Sequence, residues 1–419
     1  MRPLAAAISA GLCLLASFSP AGENGGAARA GAGPLAGLPS KPGPHVAKIK
    51  ALGNGRWLDL GSPAPDPRWG KALGRSYSTR MVFLPGKRAS FLAGQGVHAG
   101  MKKNGVYQDE IFAYDINAHR WICLYPGSDV NNLTLKLDAH GFEVDGKGEH
   151  VPVAILGHGH HLMTSDSHLG KVVIVPLGNT WWTKAFPRRK KWLDERAASW
   201  LRNPRHPWFY DVKTGRWGRR KVEGEGPEAE YCYSLVSLPG RNANLLYRRG
   251  AAFWLYSGDS NAWKQLKPDG PSPDAPDYDG VSCLDTRRER LYVFNRNGKK
   301  PGIFMIYDIA GNAWIDPAPA VRPDVVAGSG YSCTRATAHY DSVSDVVVLR
   351  LRGRNASKPG IYVYDPGKNQ WTPEPLTSGT GGAHSFYDPG LNAHFFFDAG
   401  DRKLDPGVIR AWRYRRVSK

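Results

Sequence analysis

Cysteine is scarce in this sequence, and the short patterns that usually hold a metal ion are missing. The 419 residues include five cysteines, none of them in a C-x-x-C pair, and no H-E-x-x-H segment occurs. These absences exclude the common zinc-finger and zinc-protease signatures. A cluster of four histidines, His158, His160, His161 and His168, leaves a structural or incidental metal ion as one interpretation.

Long apolar runs are also missing after the first residues. The opening stretch, MRPLAAAISAGLCLLASFSPAG, predicts a secretory signal peptide over residues 1–21, because one arginine is followed by an apolar run and then by small residues. Residues 22–51 are rich in glycine, alanine and proline, and we interpret them as a flexible leader before a propeller domain at 52–419. We expect a secreted or periplasmic protein with no membrane partner. The sequence does not choose among the three disulfide pairings of the four remaining cysteines, Cys123, Cys232, Cys283 and Cys333.

Acidic residues are outnumbered in this chain. The 37 Asp and Glu residues face 56 Lys and Arg residues, which gives a net charge of +19 with histidine neutral. Such a surface either serves solubility alone or attracts a polyanion by its long-range field. Nucleic acid is not expected as the partner of an exported protein, so an acidic polysaccharide is the favoured partner. We expect the protein to be a monomer.

One segment design recurs along the chain: an apolar strand, a turn rich in Asp, Gly, Asn or Lys, and a tryptophan that opens the next strand. Four copies read IFAYDINAHRW, WFYDVKTGRW, IFMIYDIAGNAW and IYVYDPGKNQW, and FWLYSGDSNAW is a looser copy. The repeat tryptophans stand at positions 57, 121, 217, 263, 314 and 371, with gaps of 64, 96, 46, 51 and 57 residues. Units of about fifty residues with four short strands predict an all-β propeller. The turn followed by tryptophan resembles the kelch repeat, over about residues 54–416.

The two ends of the repeat region complement each other. The last unit has only three strands, whereas the first tryptophan segment, GRWLDLG, has no partner strands before it. Both facts are explained if the strand of Trp57 pairs with the strand at Val408–Arg413 and closes the ring, which removes the exposed sheet edges. We therefore predict six blades closed by an N-terminal outer strand. The gap of 96 residues leaves room for a seventh blade.

Propeller topology predicts that several His, Tyr and Arg residues share one face of the disc. In each blade the start of the inner strand a, the b–c loop and the connection from strand d to the next blade lie on that face. The residues assigned to it in this way are His98, His140, His160, His161, Tyr231, Tyr233, Arg248 and Arg249. We expect His158, in a glycine-flanked turn, and His168, in an a–b turn on the opposite face, to be structural.

A basic insertion at 179–208 interrupts the b–c connection of blade 2. It contains five tryptophans and eight Lys or Arg residues, against two acidic residues. Tryptophan faces stack on sugar rings, and arginine binds carboxylate or sulfate in a bidentate manner. Trp181, Trp182, Arg188 and Arg189 are therefore candidate substrate-binding residues. The alternative is a solvated helix whose tryptophans pack on the blade.

Four residues have an order and spacing that resemble the propeller-type ulvan lyases, which are secreted enzymes that cleave a sulfated, uronate-containing polysaccharide. His140, His161, Tyr233 and Arg249 are separated by 21, 72 and 16 residues. The resemblance implies that these residues are catalytic, with His160, Tyr231 and Arg248 as neighbours that could be the matching positions instead. It implies cleavage by β-elimination, in which a cation neutralises the uronate carboxylate while Tyr or His transfers protons at C5 and at the C4 oxygen. This chemistry requires no cofactor, and a structural metal ion remains open.

Two other function classes are alternatives to the lyase, and a third, a hydrolase, is disfavoured because this face is short of carboxylates. A non-catalytic propeller could bind an anionic glycan or a protein partner through the same face. A copper oxidase of the galactose-oxidase type would need two Tyr, two His and a Cys–Tyr cross-link, for which the sequence offers no convincing set. A glycoside hydrolase would need paired carboxylates on this face, where Glu230 and Asp279 are the main candidates.

Overall fold

The computed structural model describes most of the chain after the first 32 residues. The described segments are 33–75, 80–94, 102–103, 106–107, 109–129, 136–153, 161–176, 205–227, 234–247, 253–271, 281–297, 300–320, 336–351, 360–375, 384–399 and 407–415. The chain divides into two units, Met1–Gly31 and Ala32–Lys419, and all described residues belong to the second unit. The α-helix of this part of the chain, α1, is eight residues long, and no described helix has the length and apolarity needed to cross a membrane.

Six four-stranded antiparallel sheets form the blades of a β-propeller. Their strands, from a at the axis to d at the outside, are as follows: blade 1, Val82–Leu84, Ala89–Leu92, Ile111–Asp115 and Arg120–Tyr125; blade 2, Met163–Asp166, Lys171–Ile174, Trp208–Asp211 and Trp217–Arg219; blade 3, Ser234–Ser237, Ala243–Tyr247, Phe253–Ser257 and Ala262–Leu266; blade 4, Val281–Asp285, Arg290–Asn297, Lys300–Asp308 and Ala313–Ile315; blade 5, Ala336–Asp341, Val346–Leu351, Gly360–Asp365 and Gln370–Glu374; blade 6, His384–Asp388, Ala393–Asp398, Val408–Arg413 and Arg56–Gly61. Outside the blades, Lys102–Lys103, Val106–Tyr107 and Ser128–Asp129 form a small sheet, Lys136–Leu137 pairs with Glu143–Val144, and Pro85–Lys87 is a 3₁₀ turn. The prediction of an all-β propeller with six blades is confirmed.

The inner strands of consecutive blades contact one another around a closed ring, from blade 1 through blade 6 and back to blade 1. Backbone hydrogen bonds reinforce two of these contacts. The N–H of Leu235 donates to the carbonyl oxygen of His161 at 2.8 Å, and the N–H of Met81 donates to that of Ser385 at 2.9 Å. Blade 4 therefore lies opposite blade 1 across the axis.

The outer strand of blade 6 comes from the N-terminal side of the chain, as predicted. Trp57 pairs with Trp412, and Arg56 pairs with Arg413, in an antiparallel register. The ring of Trp57 also packs against Phe396 of the same blade, with 5.3 Å between ring centroids. The ring is thus closed by a sheet that joins the two ends of the repeat region.

A tyrosine and an asparagine shape the turn before three of the repeat tryptophans, Trp263, Trp314 and Trp371. The hydroxyl of Tyr307 donates to Oδ1 of Asn312 at 2.9 Å, and Nδ2 of Asn312 donates to the carbonyl oxygen of Lys267 in blade 3 at 2.9 Å. Asn312 has φ of 48°, a left-handed conformation that asparagine tolerates better than most residues. The same Tyr–Asn pair recurs at Tyr256–Asn261 and Tyr364–Asn369, where the asparagine also donates to a carbonyl oxygen of the preceding blade. In these three turns the motif shapes the turn and also joins the blade to the one before it.

Charged residues connect blades 4 and 5 on the face that carries the a–b turns. Arg288 donates to both carboxylate oxygens of Asp345 at 2.7 Å and to Asp285 at 2.8 Å. The hydroxyl of Tyr340 donates to Asp345 at 2.6 Å. These hydrogen bonds, chiefly that from Arg288, hold the pKa of Asp345 well below its ordinary value.

We expect this network to make the free energy of unfolding depend on pH in the acidic range. Because the pKa of Asp345 is lower in the folded chain, its stabilising contribution is complete above the unfolded pKa of about 4 and is lost as the pH falls below that value. The free energy of unfolding of Asp345→Asn should therefore fall less steeply between about pH 5 and pH 2 than that of the wild type. Asp269→Asn is the control, because Asp269 is exposed and has no ion pair among the described residues. Parallel slopes for wild type and Asp345→Asn in urea titrations would contradict the prediction.

The segment at 33–51 packs against the propeller, so the prediction of a flexible leader over 22–51 is wrong for this part. Leu35 and Ile49 are fully buried, and Ile49 belongs to helix α1, Pro44–Ala51. Arg413 of blade 6 donates to the carbonyl oxygen of Ile49 at 2.9 Å, and Ser40 donates to Asp115 of blade 1 at 2.8 Å. Composition was misleading because it describes the isolated segment, whereas a few apolar side chains here fill spaces beside the blades. Residues 22–32 lie outside the described residues.

Candidate functional site at the propeller axis

The connections of blade 2 follow the predicted topology. His168 lies in the exposed turn at 167–170 that joins strands a and b, as the sequence indicated. The insertion lies between strand b, which ends at Ile174, and strand c, which begins at Trp208. The starts of the inner strands and the b–c connections therefore share the face opposite to His168.

Each inner strand carries a polar side chain at or near its start on this face. We call this set the axial collar, and its members are Arg80, His161, Ser234, Ser282, Thr337 and Ser385, one from each blade. Arg80 forms a parallel bridge with Ser385, and His161 forms one with Ser234. Apart from Arg80, which is only half-buried, these residues have exposures of 2 % or less. The collar is thus a ring of polar residues with one member from each blade.

Arg80 crosses the axis from blade 1 to the far side of the ring. Its Nη1 donates to the carbonyl oxygen of Leu235 in blade 3 at 2.7 Å, and its Nη2 donates to that of Ser282 in blade 4 at 2.6 Å. Desolvation by the surrounding strands lowers the pKa of Arg80 to about 10, so the guanidinium is still charged at pH 7. A positive charge therefore stands on the axis of the propeller.

Hydroxyl groups and a neutral histidine surround the axis beside Arg80. Nε2 of His339 lies 2.7 Å from Oγ of Ser385 and 3.1 Å from Oγ1 of Thr337, and Ser385 donates to Thr337 at 3.0 Å. Between blades 3 and 4 the hydroxyls of Ser234 and Ser282 also contact each other. Burial, with the charges of His394 and Arg80, holds the pKa of His339 well below its ordinary value. His339 is therefore uncharged at neutral pH and can accept or donate a hydrogen bond.

His161 is the predicted catalytic histidine that the structure brings to the axis. It is fully buried, and its backbone joins blade 2 to blade 3 at Ser234. Ser234 in turn pairs with Tyr247, the last residue of strand b in blade 3. His161, Ser234 and Tyr247 thus form one row of paired residues across blades 2 and 3.

Most other predicted site residues lie outside the described residues. These are His98, His160, Tyr231, Tyr233, Arg248, Arg249, Trp181, Trp182, Arg188 and Arg189, together with His158 and the cysteines Cys232 and Cys333. The two described cysteines, Cys123 and Cys283, are free thiols.

His140 lies at the outer part of blade 2, away from the axis. Its exposed ring is 5.8 Å from the ring of Phe142, and Phe142 covers the guanidinium of Arg219 in strand d at 4.4 Å. Arg219 pairs with the buried carboxylate of Glu143 at 3.3 Å. Two strands lie between strand d, beside which His140 packs, and the inner strand that follows His161. At the usual spacing of strands, these two parts of the blade are about 14 Å apart. No described contact joins the two histidines.

No family model matches this chain, and a search of curated proteins finds no match either.

Among the described residues, no group of three or more His, Cys, Asp and Glu side chains is arranged to hold a metal ion. The nearest approach is at the outer part of blade 2, where Nε2 of His150 lies 3.4 Å from Asp138 and His206 packs on Phe142. Burial lowers the pKa of His206 to about 4, and its Nδ1 accepts a hydrogen bond from the N–H of Val222 at 3.0 Å. These histidines hold the segment before blade 2 against the blade.

Arg80 and His339 are the site residues that sequence reasoning missed. Arg80 ends the segment RSYSTR directly before the apolar strand MVFL, so its place at an inner-strand start could have been read from the blade repeat. The blades that its side chain reaches across the axis could not be predicted, because a side chain of that length can point to several blades. His339 stands in the middle of strand a of blade 5, a position where alternation alone predicts only a side-chain face.

Proposed function

We propose that the protein is a secreted lyase that cleaves an acidic, uronate-containing and sulfated polysaccharide by β-elimination. The reaction takes place at the face of the disc where the inner strands begin. The net charge of +19 favours a polyanionic substrate. The observation that carries the proposal is the row formed by His161, Ser234 and Tyr247.

This row supports a site shared by blades 2 and 3. Tyr233 precedes Ser234, and Arg248 follows Tyr247, so chain connectivity limits each to about 3.8 Å between Cα atoms from a member of the row. Arg249 is one residue further on. An acid–base tyrosine, a histidine and an arginine are the groups that β-elimination at a uronate needs.

Each residue has a distinct role in the proposed reaction. Arg249 pairs with the uronate carboxylate and so stabilises the enolate-like intermediate that forms when the C5 proton leaves. Tyr233 removes that proton and returns one to the C4 oxygen as the bond breaks, with His161 polarising the same centre. His140, at the outer part of blade 2, contacts the polymer further along its length. No metal or organic cofactor takes part in these steps.

A screen of uronate polysaccharides tests the proposal directly. Each β-elimination creates an unsaturated uronate, which absorbs in the ultraviolet, so the absorbance should rise on at least one sulfated uronate polymer. The desulfated form of the same polymer is the matched control for the sulfate requirement. A flat absorbance on every polymer, with the propeller folded, would contradict the lyase.

The second candidate is a non-catalytic propeller that binds an anionic glycan. The observation that favours it is the complete burial of His161, together with the distance of His140 from the axis. A binding protein would retain the polymer in affinity electrophoresis without producing unsaturated ends. Retention without absorbance would therefore replace the lyase with this function.

Deleting residues 179–204 should weaken binding to an anionic polymer by about tenfold at low salt and flatten its salt dependence. The deletion removes seven cations and four tryptophans, against two acidic residues. It spares Arg205 and His206, because their carbonyl oxygens accept hydrogen bonds from Trp263 at 2.8 Å and from Arg219 at 3.1 Å. Affinity would be measured by calorimetry at two salt concentrations.

A variant with the basic run at 188–191 replaced by glutamine separates charge from stacking. It keeps the tryptophans, so its salt dependence should flatten while part of the affinity remains. If the deletion left affinity unchanged at low salt, the insertion would have no role in binding the polymer.

A further inference from the structure

We propose that Arg80 forms a carboxylate-binding site on the axis of the propeller, within the axial collar. The site would take a single carboxylate group, such as that of a uronate residue. This inference rests on the proposed function for the kind of polymer, and it deepens that function by adding a carboxylate contact besides that of Arg249. It does not require the protein to be a catalyst.

The first argument is that the charge of Arg80 is not balanced. Its hydrogen bonds go to the carbonyl oxygens of Leu235 and Ser282, and no described carboxylate forms an ion pair with it. Two other buried arginines are paired with acids: Arg75 with Glu110 at 3.1 Å, and Arg219 with Glu143. A third, Arg413, donates to backbone carbonyl oxygens, among them those of Ile49 and Leu391. A buried charge without a counter-charge is costly, and a bound anion removes that cost.

The second argument is that donors remain for a ligand. A guanidinium has five N–H groups in a planar fork that suits a carboxylate, and the two carbonyl contacts use two of them. Arg80 is also only half-buried, whereas the other five collar residues are almost completely covered. Arg80 is therefore the least covered residue of the collar.

The third argument is the neutrality of the surroundings. The nearby groups are the hydroxyls of Ser234, Ser282, Thr337 and Ser385 and the uncharged imidazole of His339. Hydroxyls and a neutral imidazole can donate to an anion, and none of them repels it. A site built for a cation would instead show carboxylates here.

A purely structural role for Arg80 is the alternative, since its two hydrogen bonds link blade 1 to blades 3 and 4. If the role of Arg80 is only structural, replacing it should lower stability, but the protein should not respond to carboxylates. A binding site predicts that stability rises with ligand concentration, because a ligand that binds only the folded state stabilises it by mass action. The ligand response, and not stability itself, therefore separates the two roles.

The experiment measures the melting temperature of the full chain against concentrations of glucuronate, with glucose as the neutral match, at constant ionic strength. We expect a rise with glucuronate, none with glucose, and an apparent affinity about tenfold or more weaker in Arg80→Gln. Arg120→Gln is the control, since it removes the same charge from the opposite face of blade 1, where Arg120 pairs with Asp115. An equal response in wild type, Arg80→Gln and Arg120→Gln would overturn the proposal, as would no response in the wild type.

A crystal of the wild type soaked in glucuronate keeps the proposal testable if Arg80→Gln fails to fold. The carboxylate should lie at about 2.7–2.9 Å from the guanidinium of Arg80. A sugar bound only elsewhere, or no bound sugar at a concentration that raises the melting temperature, would overturn it. Neither measurement depends on polymer cleavage, so a failed lyase screen and a failed carboxylate site are distinguishable.

Discussion

Replacing Tyr233 by phenylalanine, or His161 or Arg249 by alanine, is expected to lower kcat on the cleaved polysaccharide by about two to four orders of magnitude. Acid–base groups typically contribute about 10²–10⁴ to the rate, and a group that stabilises developing charge contributes about 10²–10³. The rate of appearance of ultraviolet absorbance measures the loss. Circular dichroism and the melting temperature show whether each variant remains folded.

His168→Ala is the matched control for His161→Ala. Both histidines belong to blade 2, but His168 is exposed in the turn at 167–170 on the opposite face, whereas His161 is buried at the inner-strand start. His168→Ala should keep near-normal activity. If His168→Ala lost as much activity as His161→Ala while remaining folded, the assignment of the site to the face where the inner strands begin would be wrong.

The combined variants should lose less activity than the product of the single losses. Tyr233, His161 and Arg249 act on one proton transfer, so once one of them is absent the others have little left to contribute. Fully multiplicative losses would mean that the residues act in separate steps. Full activity in all three single variants would place catalysis elsewhere.

The propeller could be predicted because its turns repeat the same local chemistry. A turn in which Asn312 adopts a left-handed conformation and bonds to Tyr307 needs those residue types at that spacing, whatever the rest of the fold does. The closing strand could also be predicted. The last unit lacks a fourth strand and the first strand lacks a partner, so pairing the two satisfies both. Local requirements of this kind are visible in a single sequence.

The axial collar and the packed leader depend on contacts between distant residues. Arg80 bonds to carbonyl groups 155 and 202 residues away, and the choice of blade depends on the curvature of the whole ring. Leu35 and Ile49 are isolated apolar residues among glycine, alanine and proline, and only the completed blades create the spaces that bury them. The burial of His161 has the same origin, because the covering comes from neighbouring strands.

The order and spacing of His140, His161, Tyr233 and Arg249 predict one site, but the two described members of this set lie in different parts of blade 2. His161 belongs to the row that supports the proposed site, whereas His140 packs with Phe142 at the outer part of the same blade. Spacing along a chain does not record radial position in a blade. A long polymer could still contact both histidines, which a single sugar could not.

Replacing Trp412 by alanine is expected to lower the free energy of unfolding by about 3–5 kcal/mol, as is typical when a buried aromatic side chain is removed from a core. Trp412 is fully buried in blade 6, where it pairs with Trp57 of the closing strand and lies 5.4 Å from the ring of His394. It also belongs to a cluster with Val348 of blade 5, so the cavity would weaken the closing sheet and its contact with the next blade together.

Trp69→Ala is the control for this last prediction. Trp69 is 46 % exposed, and its ring lies under the guanidinium of Arg68 at 4.7 Å, so its removal should change the free energy of unfolding by no more than about 0.5 kcal/mol. Urea titration measures both variants. Hydrogen exchange should in addition be faster at Arg56–Gly61 in Trp412→Ala than in the wild type, because that strand depends on pairing with strand c of blade 6. Equal stability of the two variants, or unchanged exchange at Arg56–Gly61, would mean that the ring does not depend on this sheet for its closure.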